Sequence, residues 1–193
     1  MLFHSPEYID FMENYFHLTE AQQKNRLFAI GMAIDIPAFP EFFKFSQLVS
    51  GSSILAAMII AENEADIVIN WMGGYHHAKR MRASGFCYCN DIVLGIQMLL
   101  RTFDRVLYLD IDVHHGDGVE EAFLTSNRVM TVSFHQYDEL EKFFPGTGDL
   151  KDTGEGDGKY YSVNVPLRKG IEDDNFQEIF VQVIDKVIEV NIC

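Results

Sequence analysis

Cysteine is scarce, with three in 193 residues, which excludes a scaffold stapled by several disulfides. A structural zinc site draws four ligands from clustered Cys and His. Cys87 and Cys89 form a pair but no second pair exists and Cys193 stands alone, so reduced thiols in a buried strand or loop are expected. Cations are also few. Fifteen Lys and Arg stand against 29 Asp and Glu, a net charge of −14, which leaves no basic cluster to neutralise a nucleic-acid backbone. Long apolar runs are missing too. The longest candidate, Ile54 to Ala61, is soon followed by Glu62 and Glu64, short of a bilayer span. Glu7, Asp10 and Glu13 stand where a secretory leader would be basic and then apolar. The expectation is a soluble intracellular protein with no membrane or nucleic-acid partner.

What is present suits a real core. Hydrophobic residues make up 48% of the chain and aromatics 13%, which excludes a disordered class. No repeat, low-complexity tract or linker is visible, so a single domain over residues 1–193 is expected. Apolar stretches of strand length alternate with helical patterns. Helices are predicted over Gln47 to Glu64, Asp91 to about Arg101 with Asn90 as N-cap, Val119 to Leu124, and Glu172 to Val190. Buried strands are predicted over Asp66 to Trp71, Arg105 to Asp110, Arg128 to Phe134 and Tyr160 to Val165. This rhythm implies an α/β fold with a mainly parallel sheet and helices on its faces. Ligands bind at the carboxyl ends of strands in such sheets, so reactive residues should sit just after strands.

They do. After the second strand comes Asp110-Ile-Asp112-Val-His114-His115-Gly116-Asp117-Gly118. Alternation along a strand turns Asp110, Asp112 and His114 the same way. A carboxylate and an imidazole two positions apart are natural zinc ligands, and Asp110 and Asp117 are candidates to orient imidazoles. A lone Asp-x-His is a weak signal. So many acids at one strand end would repel one another without a cation, which makes the longer pattern strong.

After the first strand comes Gly73-Gly74-Tyr75-His76-His77. Alone, two adjacent histidines are most simply an exposed accident. Opposite a metal loop they become candidates for a general base and acid. A third loop carries Phe143-Phe144-Pro145-Gly146-Thr147-Gly148-Asp149, and Phe86 sits in Ser84-Gly85-Phe86-Cys87. Each Phe could simply plug the domain. Together, in Gly/Pro loops, they suit the walls of an apolar tube. Between Asp110 and Asp157 twelve Asp and Glu face only Arg128, Lys142 and Lys151. That field either attracts a basic peptide or serves solubility alone.

Four stretches resemble the class I zinc-dependent histone deacetylases: Gly73-Gly74-Tyr75-His76-His77-Ala78, Ala83 to Asp91, Asp110 to Gly118 with Glu120-Glu121-Ala122-Phe123, and Phe144 to Asp149. The resemblance runs from about Phe45 to Val187 and thins toward Met1, where His4-Ser5-x-x-Tyr8 and Asp35-x-Pro37 still match. It implies a single three-layer domain of the arginase/deacetylase fold, truncated at both ends. It also implies hydrolysis of N-acetyl-lysine on histone tails by one catalytic zinc, with another divalent metal possible in its place. By the resemblance, Asp112 and His114 are zinc ligands, and His76 and His77 are the catalytic pair, backed by Asp110 and Asp117. Gly85, Phe86 and Phe144 line the acetyl-lysine tunnel, and Asp35 grips the substrate backbone at the rim. Structural K+ ions lie near Asp110, Asp112, His114, Ser133 and Phe134, and near Phe123, Ser126, Val129 and Tyr161. The family's setting is transcriptional repression in the nucleus, the cytoplasm remaining open, with acetylated histone tails or other acetyl-lysine proteins as substrates and corepressor subunits as partners.

The chain also departs from the family pattern. The third zinc ligand, an aspartate, and a carbonyl-polarising tyrosine lie downstream of Cys193 in the family, and its first strand lies upstream of His4. Tyr137 to Phe143 is longer and more acidic than usual, and Gly31 to Asp35 is extended. A catalytically inactive binding or scaffold module is therefore the alternative expectation. A dinuclear ureohydrolase ranks lower, because its further carboxylate would fall at Gly116.

Overall fold

The computed structural model describes residues 3–27, 31–32, 36–140 and 142–191. The chain folds as two compact units, Met1–Asp104 with Gly118–Ala122, and Arg105–Asp117 with Phe123–Cys193.

The first unit is helical. Ser5 accepts the Tyr8 backbone N–H at 3.2 Å and Pro6 opens the helix, so α1 (Pro6–Asn14) starts with an N-cap and a pre-set backbone. Then follow α2 (Glu20–Leu27), α3 (Phe42–Ala61) and α4 (Asp91–Leu99). Asn90 caps α4 by accepting the Val93 N–H at 3.1 Å, as the sequence predicts. α3 is longer than predicted and begins at Phe42 because that ring is a core residue, packed in one cluster with Tyr8, Phe11, Tyr15 and Tyr88. Buried Tyr8 donates to the Tyr88 carbonyl at 2.7 Å, which ties α1 to the segment before α4. Among the described residues α3 is the one helix long and apolar enough to cross a membrane. It buries Phe42, Ser46, Val49, Ser50 and Ala57, while Leu48 and Leu55 are exposed. Gly95 lets α4 approach α3, since a Cβ there would stand 3.4 Å from the Ser53 carbonyl.

The first predicted strand is not formed. Residues 66–71 run without a ladder, and Ile67, Ile69 and Trp71 are exposed, Trp71 by 90%. The physical reason is the lack of a hydrogen-bonding neighbour among the described residues. Apolar β-branched sequence alone does not make a strand. Val68 and Asn70 instead line a cleft of about 390 Å³ against α3 and α4.

The second unit holds the parallel sheet. Strands β1 (Val106–Asp110), β2 (Val129–Gln136) and β3 (Ser162–Leu167) lie in the order β1-β2-β3, both pairs parallel, with Asp110 opposite Ser133. The short helix α5 (Asp117–Phe123) follows β1, and α6 (Asp173–Asn191) follows β3. α6 lays Phe176, Ile179, Phe180, Val183 and Val187 onto Met130, Val132 and Phe134 of β2. This is the helical spacing read from the sequence, and it meets the apolar face of β2, whose other face carries buried Thr131, Ser133 and His135.

His4 is buried in the first unit and its Nε2 accepts the Asn90 N–H at 3.0 Å, which requires a neutral ring. Burial pushes its pKa from 6.5 down to about 4; the Arg80 charge acts the same way, and the Arg80 and Lys79 backbone carbonyls oppose it. The unfolded chain takes up this proton below about 6.5, the folded chain only near 4. The stability held by neutral His4 is thus full above 6.5 and drains away as pH falls toward 4, by about 3 kcal/mol in total. Urea melts across that window should show this loss in the native chain and a flatter profile in His4→Gln. Equal slopes for the two would remove His4 as the cause.

Candidate functional site

The candidate residues fall in both units, and each set is built by its own surroundings. In the second unit β1 stops at Asp110, so Asp112 and His114 lie beyond the strand. Their common direction comes from turns instead of strand alternation. Asp110 Oδ1 accepts the Asp112 N–H at 2.9 Å, and Asp112 Oδ1 accepts the His114 N–H at 2.8 Å. Two successive turns in which an aspartate bonds the backbone two residues on are the physical content of the Asp-x-Asp-x-His spacing. The second oxygen of buried Asp110 accepts the Tyr108 hydroxyl at 2.5 Å. Gly116 passes so close that a Cβ there would fall 2.3 Å from that oxygen.

Asp112 and His114 stay partly exposed, with side-chain exposures of 51% and 37% and Oδ1 3.1 Å from Nδ1. Tetrahedral zinc with bonds of about 2.0–2.1 Å puts adjacent donors roughly 3.3 Å apart. The pair therefore fits two positions of one coordination shell. No group of three or more candidate donors occurs among the described residues. Beside Asp112 a cleft of about 310 Å³ is lined by Ile111, Val113, Phe134, Leu167 and Phe176.

His114 also carries aromatics. Phe143 stacks on its ring at 5.2 Å and an interplanar angle of 6°, and Phe144 meets it edge-on at 5.7 Å. The loop bearing both rings is held from beneath. His115 Nδ1 meets the Thr147 hydroxyl at 2.8 Å, while buried His135 donates from Nε2 to the Gly148 carbonyl at 2.8 Å. Ser133 Oγ meets His135 Nδ1 at 2.9 Å. Gly148 has φ +89° and leaves no room for a Cβ, which would lie 2.4 Å from His135 Nε2. Sequence reasoning missed His115, His135 and Tyr108. The strand pattern of β2 gave one available signal, an alternation that sets His135 on one face with Thr131 and Ser133, opposite Met130, Val132 and Phe134.

Of the expected cation residues, Asp110 ends β1 and is the register partner of Ser133 within β2, next to buried Phe134. Around the start of β2, the Phe123 carbonyl accepts the Ser126 N–H at 2.8 Å, Val129 opens the strand, and the Tyr161 carbonyl accepts the Thr131 N–H at 2.8 Å. Asp117, the first residue of α5, is buried.

In the first unit His76 and His77 are both buried, with ring centroids 4.0 Å apart and planes tilted by 50°. They are not an exposed accident. Neighbouring Lys79 is buried too, and meets Glu121 at 3.1 Å. Gly85 and Phe86 form the centre of a tight turn in which the Ser84 and Cys87 backbones exchange both hydrogen bonds. Both have positive φ, +50° and +65°, as a two-residue reverse turn of this hand requires. Phe86 is 71% exposed. Asp35 lies outside the described residues.

A phenylalanine held left-handed costs about 1–2 kcal/mol and recovers little of that by burial here. Phe86→Gly should therefore raise stability by about 0.5–1 kcal/mol in a urea melt. A core ring would instead cost about 3–5 kcal/mol on removal, and such a loss would return Phe86 to the role of a plug.

The family described as histone deacetylase domain matches residues 1–190. Histone deacetylase HDAC1 of Drosophila melanogaster is 54% identical over 189 residues, covering 97% of this chain and 35% of its own length. Histone deacetylase 9 of Arabidopsis thaliana is 51% identical over 188 residues, with coverages of 97% and 44%. Human histone deacetylase 1 is 52% identical over 190 residues, with coverages of 97% and 38%. The chain thus spans well under half the length of these relatives. With its parallel α/β sheet, the chain belongs to the histone deacetylase domain family and its arginase/deacetylase fold.

Proposed function

We propose that this sequence forms part of the catalytic domain of a zinc-dependent protein lysine deacetylase acting on histone tails. The carrying observation is the Asp112–His114 pair, whose donor types and 3.1 Å separation suit zinc. Bound there, zinc would supply Lewis acidity and acidify a water. The chain's own residues do the rest. His76 and His77 hold and move the protons, taking one from water and returning one to the departing lysine amine. Asp110 and Asp117 serve as their carboxylate partners. Phe86 and Phe144 enclose the lysine stem with Gly85 and keep bulk water out. Asp35 binds the substrate backbone.

Asp110 and Ser133, with Asp112, His114 and Phe134, fit an oxygen-rich site for structural K+, and Phe123, Ser126, Val129 and Tyr161 a second. Glu139, Asp152, Glu155 and Asp157 are exposed acids that favour a lysine-rich tail. The same reading puts the protein in the nucleus, in a repressive complex with corepressor subunits. A second reading is a binding module without turnover, favoured by the lack of a third donor among the described residues.

An acetylated histone peptide, incubated with the protein and zinc, should release acetate at a rate that falls roughly a hundredfold in His77→Ala and in Asp112→Ala. Binding without acetate release, unchanged by either substitution, would establish the second reading. Neither binding nor release would overturn both.

A further inference from the structure

His76 and His77 sit in a turn that has no strand or helix of its own, yet both rings are buried and fixed. The turn's backbone is gripped by the two residues that open α4. Asp91 accepts the Gly74 N–H at 3.1 Å and the Tyr75 N–H at 2.8 Å, and its carboxylate is itself fixed by the Ser53 hydroxyl at 2.5 Å. Asn90 Nδ2 donates to the His76 carbonyl at 3.2 Å and to the Ala78 carbonyl at 3.0 Å. The peptide units that precede His77 and follow Ala78 are thereby held from one helix end.

Helix capping does not explain this arrangement. A cap needs only an oxygen for the Val93 N–H, which Ser, Thr or Asp would supply equally well. Only asparagine caps the helix and also presents two N–H groups. Asn90 uses all of its polar groups. Its backbone N–H goes to His4 Nε2 at 3.0 Å, and its carbonyl accepts the Leu94 N–H at 3.4 Å. Asn90 is wholly buried. Two glycines close the clamp from outside. A Cβ on Gly73 would meet Asp91 Oδ2 at 2.6 Å, and one on Gly118 would meet the same His76 and Ala78 carbonyls at 2.4 and 2.6 Å.

We propose that Asn90 and Asp91 are positioning residues for the tandem histidines, a clamp at the start of α4 that fixes the orientation of His76 and His77 through their backbone. The inference rests on the reading that these imidazoles carry the proton transfers, and it deepens that reading. Neither residue touches the reacting atoms. A displacement of about 1 Å in a catalytic group is enough to cost roughly a hundredfold in rate, so the clamp matters to chemistry well before it matters to folding.

Asn90→Asp and Asp91→Asn test this in the whole chain, both isosteric. The first keeps the cap oxygen and sets an acceptor against two carbonyls. The second weakens the grip on the Gly74 and Tyr75 N–H groups. Exchange of the histidine C2 proton, read at each ring by fragment mass spectrometry in dilute solution, should change roughly threefold or more at His76 and His77 in both variants. His17 and His135 serve as controls and should not move. Where the protein turns over acetyl-lysine, kcat should fall more than KM rises. Unchanged exchange at His76 and His77, or the same shift at all four rings in both variants, would overturn the clamp. Exchange that shifts as expected in a protein with no deacetylation would instead sink the deacetylase reading and leave the clamp standing.

Discussion

Asp112 Oδ1 takes the His114 N–H and at the same time faces the His114 imidazole, and this one carboxylate organises the segment that follows β1. It can do so because β1 ends at Asp110, whose own carboxylate accepts the Asp112 N–H and ends the strand there. The parallel sheet supplies a rigid edge. The aspartates convert that edge into a pair of donors about one zinc coordination edge apart.

Both reactive loops follow one principle. Each is rich in glycine, has no regular structure, and is held by side chains from a neighbouring regular element. His135 on β2 and His115 after β1 grip the loop of Phe143 and Phe144, while Asn90 and Asp91 at the start of α4 grip the turn of His76 and His77. The glycines at 73, 118 and 148 are the close-approach points where any Cβ would collide with a gripping group or with the gripped backbone. Small residues there serve geometry, and the buried polar side chains satisfy loop backbone that would otherwise be left unpaired.

Much of this was legible in the sequence. The apolar spacing of Phe176 to Val187 gave α6 and its packing face, Asn90 gave the start of α4, and the alternation of elements gave a parallel sheet, with Asp112 and His114 beyond β1 but with His76 and His77 following no strand among the described residues. The Asp-x-Asp-x-His spacing does bring Asp112 and His114 side by side, but turn hydrogen bonds rather than strand pleating align them. Residues 66–71 show a harder limit. Their apolar pattern is that of a buried strand, but pairing is a property of two strands, and no partner is found among the described residues. His115 and His135 act through contacts to a distant loop that spacing does not encode, and Tyr108 through a bond to Asp110 two residues on in the same strand. Phe86 could be singled out by its Gly-Phe context, whereas its left-handed backbone could not.

The central claim is that Asp112 and His114 are metal donors, and X-ray absorption at the zinc edge tests it most directly. On protein loaded with less than one equivalent of zinc, the account predicts a shell of oxygen and nitrogen at about 2.0–2.1 Å, lost in Asp112→Asn and in His114→Ala. Sulfur at about 2.3 Å, the signature of Cys87 or Cys89, or an oxygen and nitrogen shell that survives both substitutions, would contradict it.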